Sequence, residues 1–251
     1  MANRYISEID GQAPFFKHYL RESLGHEACV LLENIAAITD VYIFSGIIRN
    51  FFLGEPYYRD LDIVVKDCSE ITKLLEYNDN IYITRNHFGG LKIKVGRFMI
   101  DLWSLDQTWG IKKQGLDDSP QSLLKTVFFN FSAIVFDFNK TRFYYGTDFV
   151  RFFNTRQMDV VYDSNPNIPL CIVNTCYYYK KYGLGVGLRL CLWVFINYIS
   201  IEKMGHDRKE LFDKVQMGHF GKVNIEYIVL KDFVLSCYQH FKSRRPISPC
   251  C

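Results

Sequence analysis

Two aspartates, Asp60 and Asp62, are separated by a single leucine. In an extended segment alternate side chains point to one face, so the two carboxylates stand side by side. Held that close, they repel each other unless a cation lies between them. A hard divalent ion, which takes oxygen ligands, suits the pair. Upstream, Ser45-Gly46 makes a small turn after the apolar run Val41-Tyr42-Ile43-Phe44. Glycine has no side chain to block the approach of a phosphate to backbone N–H groups. Metal-binding acids beside a phosphate cradle are the parts that nucleotidyl transfer requires.

The elements that must position these groups follow from spacing. Residues 14–38 have helical periodicity and are divided at Gly25. Residues 41–44 and 61–65 read as buried strands, with a short helix over Arg49–Leu53 stopped at Gly54. A further helix is expected over 70–77. Residues 80–85 and 91–104 alternate, and His87-Phe88-Gly89-Gly90 turns between them as a hairpin. Its second arm ends in Phe98-Met99-Ile100-Asp101-Leu102-Trp103, which is placed to bring Asp101 to the first two acids. Asp106 is the alternative third acid, although its place after the strand suits a cap. The stretch 139–170 reads as a connector, punctuated by Asn139, Gly146, Asn154 and Asn165-Pro166-Asn167-Ile168-Pro169. Helical patterns follow over Tyr177–Tyr182, Leu188–Ile199, Glu210–Val215 and Ile225–Phe241, and the tail from Arg244 is expected to fray.

The segment Ser45 to Gly54, closed by Asp60-Leu61-Asp62, resembles the head domain of class II tRNA nucleotidyltransferases and bacterial poly(A) polymerases, within the DNA polymerase β-like superfamily. The family pattern is Gly-Gly-x-x-Arg-Asp, then Leu-Gly, then Asp-x-Asp. Gly46, Arg49, Leu53, Gly54, Asp60 and Asp62 match it; Ser45 and Asn50 stand where the family has Gly and Asp. The resemblance covers about residues 30–140 and the remainder only loosely. It implies an α+β fold: a small mixed-sheet nucleotidyltransferase domain with N-terminal helices over 1–140, then a connector and helical C-terminal domain over 141–251. It implies that Asp60, Asp62 and Asp101 are catalytic and hold two Mg²⁺ ions, with Mn²⁺ as the alternative metal. Ser45 and Gly46 would meet the β- and γ-phosphates of an NTP, and Arg49 would add a bidentate cation, unless it pairs with Glu55 instead.

Phe129 to Asp137 is similar to the family segment Asp-Phe-Thr-Ile-Asn-Ala, with Ser132 in place of the Asn and Asn130 out of register. The family reads the incoming base with its first helical segment after the catalytic domain. Its Glu-Asp-x-x-Arg template is missing here, and Lys180 and Lys181, set among Tyr177-Tyr178-Tyr179 and Tyr182, occupy that location. Basic residues among aromatics suit a nucleotide base or an RNA backbone. They equally describe a helix with an aromatic inner face and solvated lysines.

Composition is compatible with this reading. Residues 1–170 carry 18 Lys and Arg against 21 Asp and Glu, and residues 171–251 carry 12 against 6. An acidic half that recruits metal and a basic half that meets phosphate would divide this way. The eight cysteines form no Cys-x-x-Cys pair, and the histidines show no zinc spacing. Free thiols, a cytoplasmic location and no membrane partner are expected, because no leader composition or long apolar run is present. The expected activity moves an NMP from ATP or CTP to a hydroxyl acceptor, with release of pyrophosphate. A tRNA-like RNA 3′ end is the first acceptor. A protein or small-molecule acceptor, or a non-catalytic nucleotide- or RNA-binding module, are the alternatives.

Overall fold

The computed structural model describes residues 2–44, 46–55, 60–76, 81–85, 89–203 and 207–244. The fold is α+β. The chain divides into two compact units, residues 1–127 with 131–150, and residues 128–130 with 151–251.

The first unit is built on a seven-stranded mixed sheet. Its strands are β1 (Val41–Phe44), β2 (Asp60–Val65), β3 (Ile81–Arg85), β4 (Leu91–Val95), β5 (Phe98–Ser104), β6 (Ile134–Asp137) and β7 (Arg142–Tyr145), in the order β3-β4-β5-β2-β1-β6-β7. Only β2 and β5 run parallel; every other neighbouring pair is antiparallel. Ile43, Leu61, Ile63, Ile100, Leu102 and Phe136 point to one face and are fully buried. The helices α1 (Ala2–Gly11), α2 (Ala13–Ile38), α3 (Gly46–Leu53) and α4 (Ser69–Glu76) accompany this sheet. α2 is broken at Gly25, whose φ of +72° and extended ψ suit a residue without Cβ. On the same side as Phe136, α2 and α3 contribute Phe16 and Phe51, whose rings lie 5.3 Å apart, and Phe16 meets Phe136 at 4.8 Å. On the opposite face Tyr42, Val64 and Val135 pack with Leu105 and with two short helices, α5 (Trp109–Gln114, through Ile111) and α6 (Pro120–Leu123, through Leu123).

Two sequence expectations are corrected here. Residues 91–104 are not one arm of a hairpin. Val95 pairs with Phe98 around a two-residue loop, Gly96-Arg97, and Gly96 adopts φ +54°. The buried positions shift from 91, 93 and 95 to 98, 100 and 102, the change of parity that such a turn imposes. The stretch 139–170 is not a plain connector. It holds β7, the helix α7 (Thr147–Thr155) and the strand β8 (Gln157–Met158). Asn139 marks a hairpin turn: its side chain accepts from the N–H of Val41 at 2.9 Å and donates to the carbonyl of Ala36 at 2.7 Å.

The second unit is helical: α8 (Ile168–Tyr182), α9 (Leu188–Lys203), α10 (Arg208–Phe220) and α11 (Tyr227–Lys242), with a parallel pairing of β8 and β9 (Gly185–Val186). Asn167 caps α8 by accepting from the N–H of Leu170 at 3.2 Å, and Gly183 ends it in the left-handed conformation. Asn130 is buried here. Its amide donates to the carbonyl of Gln157 at 3.0 Å and accepts from the N–H of Asp159 at 2.9 Å. These backbone partners give Asn130 a structural task. Cys29, Cys68, Cys171, Cys176, Cys191 and Cys237 are free thiols. Among the described residues no helix is long and apolar enough to cross a membrane.

Candidate active site

The register of the sheet places the acids. Parallel pairing sets Asp62 of β2 opposite Asp101 of β5, and Asp60 opposite Met99. A single row then crosses the sheet through Thr84, Lys92, Asp101, Asp62, Phe44, Val135 and Tyr144. Asp60 lies two residues along β2 and shares this face. Both strands alternate here because the opposite face is core: Leu61 and Ile63 flank Asp62, and Ile100 and Leu102 flank Asp101. The apolar neighbours therefore fix the orientation of the carboxylates.

The electrostatics follow from this placement. Burial first, then the negative charges of Asp101 and Asp60, push the Asp62 carboxyl up to about 7. The charges of Arg49 and Lys92 pull it the other way. Lys92 Nζ lies 3.3 Å from Asp101 Oδ1 and donates to Oδ2 at 3.4 Å. Asp101 Oδ1 is buried, and among the described residues no hydrogen bond reaches it. Among the described residues no three His, Cys, Asp or Glu side chains converge to hold a metal. The donors are nonetheless of the kind a hard divalent ion takes: two facing carboxylates and a third on the same face.

Phe44 pairs with Asp62, so β1 ends beside that acid. Gly46 opens α3 and is buried, and Ser45 lies outside the described residues. Arg49 donates to Asn50 Oδ1 from Nε at 3.2 Å and from Nη2 at 3.0 Å. Asn50, at the position where the family has Asp, thus steadies the guanidinium as a neutral acceptor. Asp106 does not lie on β5. It sits in the turn after the strand and accepts from the Ser104 hydroxyl. Lys180 and Lys181 belong to the second unit, exposed in the last turn of α8, where cations also favour the helix C-terminus. Lys181 donates to the Tyr182 hydroxyl at 3.0 Å and lies 4.7 Å from its ring centroid. Together with Tyr177, Asn224 and Glu226 the two lysines line a hollow of about 400 Å³.

Sequence reasoning missed the other walls of the acid cleft. A volume of about 450 Å³ is lined by Asp62, Asp101, Lys92, Trp103, Thr108, Trp109, Gly110 and Thr126, with Gly90 and Gln107. Lys92 was reachable from the apolar parity change at Gly96, which sets it opposite Asp101. Nothing local marked Trp109 or Thr126. Gly110 approaches Thr126 so closely that a Cβ would lie 2.5 Å from Thr126 Cβ. In an open helix Gly→Ala gains up to ~1 kcal/mol. Here Gly110→Ala is expected to destabilise by roughly 1–3 kcal/mol, because steric overlap outweighs propensity. Denaturant unfolding checks this; a more stable variant would mean that α5 shifts freely.

No protein-family model and no curated protein sequence matches this chain. Solved structures do. A CCA-adding enzyme in complex with CTP is 12% identical with a TM-score of 0.61, over 94% of this chain and 54% of that one. A tRNA nucleotidyltransferase complexed with a primer tRNA and an incoming ATP analog is 14% identical with a TM-score of 0.59, over 85% and 60%. The Thermotoga maritima CCA-adding enzyme complexed with tRNA is 14% identical with a TM-score of 0.59, over 90% and 50%. The fold is therefore the one seen in these tRNA nucleotidyltransferase structures. The chain spans about half the length of the structures it matches.

Proposed function

We propose that this protein transfers an NMP from an NTP, ATP or CTP, to the 3′ hydroxyl of a tRNA-like RNA and releases pyrophosphate. The observation that carries the reading is the in-register pair Asp62–Asp101, with Asp60 on the same face and the Asp62 carboxyl pushed up by burial and its acidic neighbours. Asp60, Asp62 and Asp101 would hold two Mg²⁺ ions, or Mn²⁺. When bound, these ions lower the pKa of the acceptor hydroxyl and neutralise the departing pyrophosphate. Arg49, held by Asn50 and close enough to act on Asp62, orients the triphosphate with a planar fork of donors. The N–H groups of the first turn of α3, from Gly46, face the phosphates, and Ser45 would add a hydroxyl. Lys92 neutralises Asp101 until substrate arrives.

The sheet unit is then the catalytic domain, and the helical unit binds base or RNA through Lys180 and Lys181. Lys180→Ala with Lys181→Ala is expected to weaken RNA binding and to flatten its log–log salt dependence by about 0.7 for each phosphate no longer neutralised. Anisotropy titrations at several salt concentrations read both quantities; an unchanged slope would make the pair a solvated face. The activity itself is tested by incubating the protein with each labelled NTP, Mg²⁺ and total cellular RNA. Label in RNA supports the reading. Label in the protein moves the acceptor to a polypeptide, and no label with any NTP overturns it.

A further inference from the structure

The segment after β5 builds a second surface beside the acids. In α5, Ile111 is buried in the core and Gly110 is pressed against Thr126. Trp109, Lys112 and Lys113 stand at positions i, i+3 and i+4, so they share another side of this helix. Trp109 is 39% exposed, and both lysines are exposed. Trp109 and Gln107 line the acid cleft and also, with Lys112 and Lys113, an adjoining hollow of about 380 Å³. One indole therefore stands between the carboxylates and two ammonium groups. The platform is anchored: Gln114 donates to the carbonyl of Lys125 at 3.1 Å, and Trp103 Nε1 donates to Thr108 at 3.1 Å.

An exposed aromatic next to cations binds single-stranded nucleic acid with little regard to sequence, the ring stacking a base and the cations meeting phosphates. We propose that this face of α5 seats the 3′ end of a single-stranded polynucleotide acceptor. Its last base stacks on Trp109, its upstream phosphates meet Lys112 and Lys113, and its terminal hydroxyl points toward Asp62 and Asp101. This inference rests on the nucleotidyl-transfer reading and adds to it the route by which the acceptor reaches the acids.

The test uses the full chain without added metal and a fluorescein-labelled mixed-sequence RNA dodecamer, followed by anisotropy. Trp109→Ala is expected to weaken binding about tenfold, the order of one stacked base, and Trp109→Phe to retain most of it. Lys112→Ala with Lys113→Ala is expected to flatten the log–log salt slope by about 1.4. Wild-type affinity and slope in both variants, with circular dichroism confirming their fold, overturn the proposal. So does Trp109→Ala raising only the KM for NTP, which would make the indole a platform for the incoming base. Transfer to a non-nucleic acceptor without dodecamer binding overturns this inference and leaves nucleotidyl transfer standing. Trp109-dependent binding without any transfer does the reverse.

Discussion

Asp62→Asn is expected to abolish nucleotidyl transfer and, at the same time, to stabilise the metal-free protein. The two effects have one cause. Burial and the charges of Asp101 and Asp60 hold the Asp62 carboxyl up to about 7. In the unfolded chain it ionises near its ordinary value of about 3.9. Below that pH both states are protonated and the group costs the fold nothing. As the pH rises from about 4 to about 7 the unfolded state ionises first, and stability falls. The native stability lost by pH 7 is on the order of 1–4 kcal/mol. An asparagine has no such charge, so the variant should lose this pH dependence and unfold later at pH 7. Transfer, which needs the anionic oxygens, should fall by more than ~1000-fold. Unfolding curves from pH 4 to 8 beside a labelled-NTP assay read both. A variant that keeps its activity would remove Asp62 from the chemistry, and one with unchanged pH dependence would place its charge elsewhere.

Asp101→Asn and Asp106→Asn should separate by a similarly wide margin. Asp101 faces Asp62 across β2 and β5 and carries a buried oxygen that no hydrogen bond reaches among the described residues. Its loss is expected to lower kcat by more than ~100-fold, beyond what removing an outer-shell partner of a metal site causes. Mn²⁺ binding, followed by electron paramagnetic resonance, should weaken in parallel. Lys92 loses its partner in this variant, but it is 46% exposed and can be solvated. Asp106 is exposed in the turn beyond the strand, so its replacement should leave transfer within a few-fold of the parent and cost less than ~1 kcal/mol. A larger loss in Asp106→Asn than in Asp101→Asn would show that the turn, not the strand, completes the site.

Local pattern alone made part of this site legible. Asp60-Leu61-Asp62 alternates acid with core, and a strand has no other way to bury Leu61. Gly25 and Gly54 interrupt helices because each adopts a positive φ that other residues resist. The helical spacing after Leu170 also stands in the structure as α8 to α11. The hairpin turn at Gly96 was written in the chain as a shift of apolar parity, from odd positions up to Val95 to even positions from Phe98. Asn139 read as punctuation because a turn residue looks the same whether it closes a hairpin or begins a linker.

What the amino-acid order by itself determined is which residues are chemically able: three acids on strands with apolar neighbours, a glycine, and an arginine three residues later. Which of them meet was decided by tertiary structure. The turn at Gly96 sends β5 back antiparallel to β4, and that lets β5 run parallel to β2 with Asp101 level with Asp62. A slip of one residue would have turned Asp101 into the core and Ile100 into the cleft. Lys92, Trp109 and Thr126 joined the acids only because distant segments pack on one sheet face. Local sequence constrains φ, ψ and periodicity over a few residues, whereas strand register and the approach of α5 are settled by burial summed over the whole domain.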